Sequence, residues 1–475
     1  MCRPIIAIVA IVFGLLSTQL VVASEWSRFR GPNGTGVSET GKLPLHFGPE
    51  HNVVWKTALP PGHSSPILTD TRIFLTAFED DILYTYCLDR ATGDVVWRRS
   101  APSVPLVHVD DRNNAASPSP AVDESGVYVF FPDFGLLAYD FDGNERWQHP
   151  IGGFDNIYGM GASPIIAGDN VVLVCDQSTE SFIVALDRSS GETVWRQTRP
   201  EAKSGHSTPV LYEADDGELQ IIVPGSFLLT SYAAQSGKKL WWVSGLSFEM
   251  KSTPVLVGDM IFINGYGAPE NQPGANVEAP GFAEAIERDA NDDGRLARDE
   301  VEGHISSWFG FVDLDADGAV DETEWAFYLA ALASRNGVLG IRVGGEGDMT
   351  EQNVAWTYDK RVPQLPSPLV YEGVLYMVND GGIVTSLEPD TGAVVAQGRL
   401  KGAVDSYYAS PVAADGKIFL ASELGKIAVL RPGGGLDVAA LNDLDDLIYA
   451  TPAIADGRIY VRTRNTLYCF GESSQ

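Results

Sequence analysis

Eight Ser/Thr-Pro pairs, each running into apolar residues, recur along this chain, and their spacing constrains its fold more than any other feature. The prolines are Pro66, Pro120, Pro164, Pro209, Pro254, Pro368, Pro411 and Pro452, with gaps of 54, 44, 45, 45, 114, 43 and 41 residues. One gap is thus too long by about 70 residues. A second marker runs in phase: LDRATGDVVW (88–97), YDFDGNERW (139–147), LDRSSGETVW (186–195) and YAAQSGKKLW (232–241). LEPDTGAVVA (387–396) keeps the turn but has Ala396 in place of Trp. Asp/Thr/Gly clusters between alternating apolar stretches are hairpin turns. Runs such as GVYVFF, LQIIV and KIFLA lie between the markers, so each unit supplies four short strands. Four strands per 40–45 residues is the pattern of propeller blades.

The stretch NVVWKTAL (52–59) precedes every Ser/Thr-Pro strand, whereas the last unit stops at NTLYCFG, one strand short. Residues 52–59 are therefore expected to complete the last blade and remove an exposed sheet edge. The expected fold is all-β, an eight-bladed β-propeller closed by an N-terminal strand, with a small α-helical insertion in blade five. The repeated Trp residues read as blade-to-blade packing.

These motifs resemble a known family. The LD-x-x-TG-x-x-x-W repeat is similar to the tryptophan-docking motif of eight-bladed quinoprotein propellers, a group that includes pyrroloquinoline-quinone (PQQ) alcohol dehydrogenases and BamB-type assembly lipoproteins. WSRFRGPNGTGVSET followed by GHSSP resembles PQQ-binding-like β-propeller repeat proteins. The resemblance implies the propeller fold and two alternative activities, a quinone-dependent dehydrogenase or a non-catalytic scaffold. In the dehydrogenases the propeller mouth holds a quinone, a calcium ion, a catalytic Asp and a disulfide between adjacent cysteines. This chain has no adjacent cysteines, and Asp405 is its candidate base. GHSSP is not a nucleophile elbow, since no Gly follows at the required offset.

The long gap holds DANDDGRLARDE, residues 289–300. Asp289, Asn291, Asp293, Gly294 and Glu300 match D-x-[DN]-x-[DN]-G-x5-E, as do Asp313, Asp315, Asp317, Gly318 and Glu324. A hard cation takes six to eight oxygens, so the spacing has a physical reason. Positions 1, 3 and 5 each supply one oxygen, and position 7 a backbone carbonyl (Arg295, Ala319). Position 9 (Ala297, Asp321) acts through water or a side chain, and each Glu closes its site with two oxygens. Phe282 with Ile286, and Ile305 with Phe309, give the helical spacing of EF-hand flanks. Residues 281–326 hold 14 acidic and 3 basic residues. The expected insert is an EF-hand pair over 267–335 carrying two calcium ions, opened by a Pro/Gly/Asn-rich linker.

Propellers place ligands at the channel mouth, on loops entering the innermost strands. Here those are His63, Asn114, Tyr158, His206, Lys251, Gln364, Tyr408 and Tyr449, with Asp405 nearby. The ring can hold a small polar ligand or simply cap strand starts.

The 475 residues carry a formal charge of −30, which excludes nucleic acid and anionic membranes as natural partners. An apolar run, Ile5–Leu16, follows Arg3 and precedes Val21-Val22-Ala23, so residues 1–23 read as a signal peptide. The run is short of a membrane span. The expected protein is exported, periplasmic or extracellular, with propeller residues 24–266 and 336–475 flanking the insert. Its partner would be a protein or polysaccharide bound in a calcium-dependent way. Cys87, Cys175 and Cys469 sit in apolar strands and read as buried free thiols.

Overall fold

In the computed structural model, residues 26–472 are described, apart from 108, 111, 155, 157, 179, 267–277 and 335. The expected signal peptide and most of the linker lie outside the described residues. Each Ser/Thr-Pro pair stands immediately before the innermost strand of a four-stranded antiparallel sheet, and eight such sheets circle one axis. The inner strands run from Ile67–Leu68 in blade 1 to Ala453–Ala455 in blade 8.

The pair recurs for a physical reason. Proline forces the residue before it into an extended conformation, which turns that residue's N–H toward the neighbouring blade, where the next hydroxyl accepts it. Ser65 N–H donates to Ser119 Oγ at 2.9 Å, Ser119 to Ser163 at 3.0 Å, and Ser163 to Thr208 at 3.0 Å. Thr253 donates to Ser367 at 2.9 Å, Ser367 to Ser410 and Ser410 to Thr451 at 3.0 Å, and Thr451 back to Ser65 at 3.0 Å. Between blades 4 and 5 the join is made instead by His206 N–H donating to Met250 O at 2.8 Å. The Thr253 hydroxyl there is buried and has no partner among the described residues.

The second motif docks one blade on the next. Trp55 lies on Gly93, where any Cβ would collide with the indole, and its Nε1 donates to Arg90 O at 3.1 Å. Gly93 has φ +78°, which only glycine adopts freely, and Asp89 ties the turn by accepting from Ala91 and Thr92 N–H. The same stack places Trp97 on Gly143, Trp147 on Gly191, Trp195 on Gly237 and Trp356 on Gly392. Trp241 departs from it, donating within its own blade to Gln220 at 3.0 Å.

Closure follows the expected route. Val53–Ala58 pairs antiparallel with Thr466–Gly471, with Trp55 opposite Cys469 and Ala58 opposite Thr466, as the outer strand of blade 8. Blade 4 gains a fifth strand that the repeat does not announce, Gly347–Asp348, parallel to Trp241 and Trp242. Cys87, Cys175 and Cys469 are free and buried, and burial pushes the Cys87 thiol up to about 12 and Cys469 to about 11. In that state they act as apolar filler.

The long gap falls between the second strand of blade 5 (Met260–Gly265) and its third (Gly337–Arg342). Helices His304–Val312 and Glu322–Ala333 and the two loops enclose a small core of their own, including Leu296, Phe309, Val320 and Trp325. The unit then docks on blade 4 through aromatic contacts, Phe311 on Phe248 at 5.1 Å and Phe327 on Phe227 at 5.4 Å between ring centroids.

The stretch from Trp26 to Ser38 crosses the ring. It bonds backbone to backbone with Leu68 and Val122 at 2.9 and 2.8 Å, and with Ala413 at 2.8 and 3.0 Å. Asn33 clasps Leu211 through both its backbone groups, at 2.7 and 2.8 Å. Arg28 donates to Pro209 O, and Arg30 to Pro368 O at 2.7 Å. Inner strands of five blades are thereby tied to one segment.

Candidate functional site

Above this crossing segment the mouth of the channel opens into a cavity of about 360 Å³. Its floor is Phe29 together with the hydroxyl ring from Ser65 round to Thr451. Of the mouth residues singled out from the sequence, His63, Tyr158, His206, Lys251, Gln364, Tyr408 and Tyr449 line it. Asn114 and Asp405 do not. Asn114 accepts from Ala116 N–H at 2.7 Å beside a smaller hollow, and its neighbour Asn113 takes the lining position. Asp405 is spent on backbone N–H groups of Ser406 and Leu424, at 2.8 and 2.7 Å, and Asp380 stands in the wall instead. Phe29, Asp110, Arg112 and Glu249 also line it and were not foreseen, as do Ser117, Gly161 and Leu365.

One side of the cavity is aromatic. His63 stacks on Tyr449 with centroids 4.4 Å apart, and Tyr408 meets Tyr449 edge-on at 5.2 Å. The rim carries two ion pairs, Arg112 with Asp110 at 2.6 Å and Lys251 with Glu249 at 2.8 Å. Beneath the floor, burial lowers the Arg28 guanidinium to about 10 and Arg30 to about 9. Both remain cations at neutral pH.

Burial, reinforced by Arg462 and Arg464, pushes His63 down to about 4, and burial with Lys251 pushes His206 to about 3. Both imidazoles are therefore neutral at pH 7. The unfolded chain, with histidines near 6.5, takes up protons in acid that the folded one refuses. Stability is then full above pH 6.5 and falls as pH drops through 6.5 toward 4, and further toward 3 for His206. Denaturant titrations at pH 7 and 5 are expected to show this loss, bounded by about 1.4 kcal/mol per pH unit per histidine. The loss should shrink in His63→Gln/His206→Gln.

The inserted loops form a second polar centre. Leu296 pairs with Val320 and Ala297 with Ala319, an antiparallel bridge that sets the loops side by side. In the first loop, Asp289 accepts from the N–H of Asp292 and Gly294, both at 2.8 Å, and Asp293 from Arg295 at 2.9 Å. Glu300 reaches back to Ala290 and Ala297, both at 2.8 Å, and Asn291 donates to Asp293 at 2.9 Å. Gly294 and Gly318 supply the turns at φ +83° and +89°.

In the second loop, oxygens of Asp313, Asp315 and Asp317 all lie within 4.8 Å of one another. Glu324 accepts from Leu314 at 2.6 Å and from Asp321 at 2.9 Å, and Asp321 also caps the following helix. Three carboxylates so close repel unless a cation sits among them, and an all-oxygen donor set suits a hard divalent ion. Two propeller-side or neighbouring cations already approach: Arg295 pairs with Asp317, and Lys203 of blade 3's exit loop donates to Leu314 O at 3.2 Å.

Ring and docked tryptophans together define an eight-bladed β-propeller. The chain belongs to the family described as outer membrane protein assembly factor BamB, which matches residues 49–182, 179–279 and 311–475. No curated protein matches it. Among solved structures it is similar to BamB from Moraxella catarrhalis, with 13% identity over 88% of this chain and 98% of that one, TM-score 0.55. It is also similar to quinohemoprotein alcohol dehydrogenase from Comamonas testosteroni, 11% identical over 95% of this chain and 81% of that one, TM-score 0.60. A europium-containing methanol dehydrogenase gives 10% identity over 94% and 98%, TM-score 0.58. Identities this low speak for the fold alone. Among the described residues, no helix is long and apolar enough to cross a membrane.

Proposed function

We propose that the protein is an exported, calcium-binding propeller that acts as a binding or scaffold protein, with calcium held by two EF-hand loops in the insert. The observation that carries this reading is the convergence of Asp313, Asp315 and Asp317 beside Glu324, in a loop paired with its twin. Calcium would be held at the first site by Asp289, Asn291, Asp293, the Arg295 carbonyl and Glu300. At the second it would be held by Asp313, Asp315, Asp317, the Ala319 carbonyl and Glu324, with Asp321 in reach. The bound ion would neutralise each carboxylate group and stiffen the loop.

The insert docks beside Phe248, next in sequence to Glu249 of the mouth, so a partner approaching this side meets both. That placement supports calcium-dependent binding of a protein or polysaccharide, and the family's description as an assembly factor points the same way.

Calcium at one hundred times its dissociation constant is expected to stabilise the insert by about 2.7 kcal/mol per site. Glu300→Gln/Glu324→Gln should lose that gain while the propeller's own unfolding transition stays put. Absence of any calcium-linked shift in the unaltered protein would defeat the proposal. A second reading, a PQQ-dependent dehydrogenase, is favoured by the walled mouth cavity, on a fold that dehydrogenases share. Calorimetry with PQQ decides it. A one-to-one complex supports the enzyme; no heat leaves the likeness at the fold.

A further inference from the structure

One cation of the propeller stands against the second inserted loop. Lys203 belongs to the loop 199–208, which leaves blade 3 and enters blade 4, and its ammonium donates to Leu314 O at 3.2 Å. Leu314 lies between Asp313 and Asp315, two of the three clustered carboxylates. The peptide joining Leu314 to Asp315 is held at both ends. Its N–H donates to Glu324 Oε1 at 3.4 Å, while its carbonyl takes Lys203. Lys203 is half-buried, and burial discourages its charge, whereas Asp313, Glu324 and Asp315 favour it. A cation so placed and a calcium ion draw on the same carboxylates and repel each other. Arg295 also pairs with Asp317, but it belongs to the insert itself and is exposed, so solvent screens it.

Lys203 is also the first member of a hydrogen-bonded chain through the propeller. Its own N–H donates to Ser226 Oγ at 3.0 Å, and the residue after that serine, Phe227, donates to Ser247 O at 3.1 Å. Further along the same loop, Met250 O accepts from His206 N–H at 2.8 Å, which closes the chain on the loop that carries Lys203. That last bond is the join between blades 4 and 5. Here the hydroxyl ring is interrupted, and the Thr253 hydroxyl has no partner among the described residues. Phe227 holds φ +65°, a costly conformation for a bulky residue, and is pinned among Phe248, Phe311 and Phe327. The interrupted joint is thus the one the insert grips.

We propose that Lys203 is a tethered cation that competes with calcium for the carboxylates of the second loop, so that filling this site loosens the joint between blades 4 and 5. This rests on the reading of the insert as a calcium-binding pair. By linkage, the factor by which Lys203 weakens calcium binding equals the factor by which calcium weakens the hold on Lys203. The sign separates this role from a merely structural one. Removing a competing charge tightens calcium, whereas removing a prop that holds the insert in place weakens it.

The test is calcium calorimetry of the full chain with both loops intact, with Glu324→Gln marking which affinity belongs to the second site. Lys203→Met is expected to tighten that site about fivefold or more, the low end of such couplings. Lys203→Arg, which keeps the charge, should leave it unchanged. Added calcium should speed hydrogen exchange across residues 199–208 in the parent and leave Lys203→Met unmoved. Equal or weaker calcium binding in Lys203→Met would overturn the competition and leave the insert as a calcium site. A tighter site with no exchange response in the parent would overturn the link to the joint and keep Lys203 as a residue that sets affinity. No calcium binding in the parent would overturn both readings.

Discussion

Replacing residues 53–58 with a Gly/Ser linker of equal length is expected to abolish cooperative folding of the propeller. The change strips the outer strand from blade 8, lays bare the Thr466–Gly471 edge, and removes the Trp55 dock onto blade 1. An open edge is a template for aggregation. Size-exclusion chromatography and thermal unfolding are the checks. A synthetic peptide spanning residues 50–60 should restore a sharp transition in a concentration-dependent way, since binding only the folded state stabilises it by mass action. Trp55→Ala is the milder form, expected to cost about 3–5 kcal/mol. A linker variant that unfolds at the parent's temperature would show that closure does not hold the ring.

Asp176→Ala is expected to destabilise the protein by about 3–5 kcal/mol, a large part of the stability of a typical domain. Arg199 Nε and Nη2 grip the two Asp176 oxygens at 2.8 and 3.0 Å, and Nη1 donates to Tyr232 OH at 2.8 Å. The pair is sealed, with side chains 1% and 0% exposed, so loss of the carboxylate strands a cation in the core. Loops pack straight against it, since a Cβ at Gly205 would strike Asp176 and one at Gly225 would strike Arg199. Asp176→Leu with Arg199→Met should be far less damaging than Asp176→Ala alone, because no buried charge is left. Denaturant unfolding measures the cycle. A single variant within 1 kcal/mol of the parent would show that water reaches the pair.

Ser/Thr-Pro and LD-x-x-TG-x-x-x-W could be read in advance because each performs one local task seven or five times over. Repetition turned a weak local signal into a count. Pairing of residues 53–58 with the last strand followed from the same count. What repetition does not carry was missed. Arg30 meets Pro368, 338 residues away, and Asn33 meets Leu211, 178 residues away. Such contacts belong to a single segment used once, and the alternation Arg-Phe-Arg was their only trace. The mouth was legible to within a residue where loop length is constant, and slipped where it varies. Asn113 took the place of Asn114, and Asp380, from a turn outside the Ser/Thr-Pro loops, took the place of Asp405.

The crossing of Trp26–Ser38 beneath the hydroxyl ring makes the channel a cup rather than a pipe. Whatever enters at the mouth leaves by the same opening, so one occupant must depart before the next arrives. Exchange is then paced by release, and a slow-leaving ligand turns such a cup into a holding vessel rather than a thoroughfare.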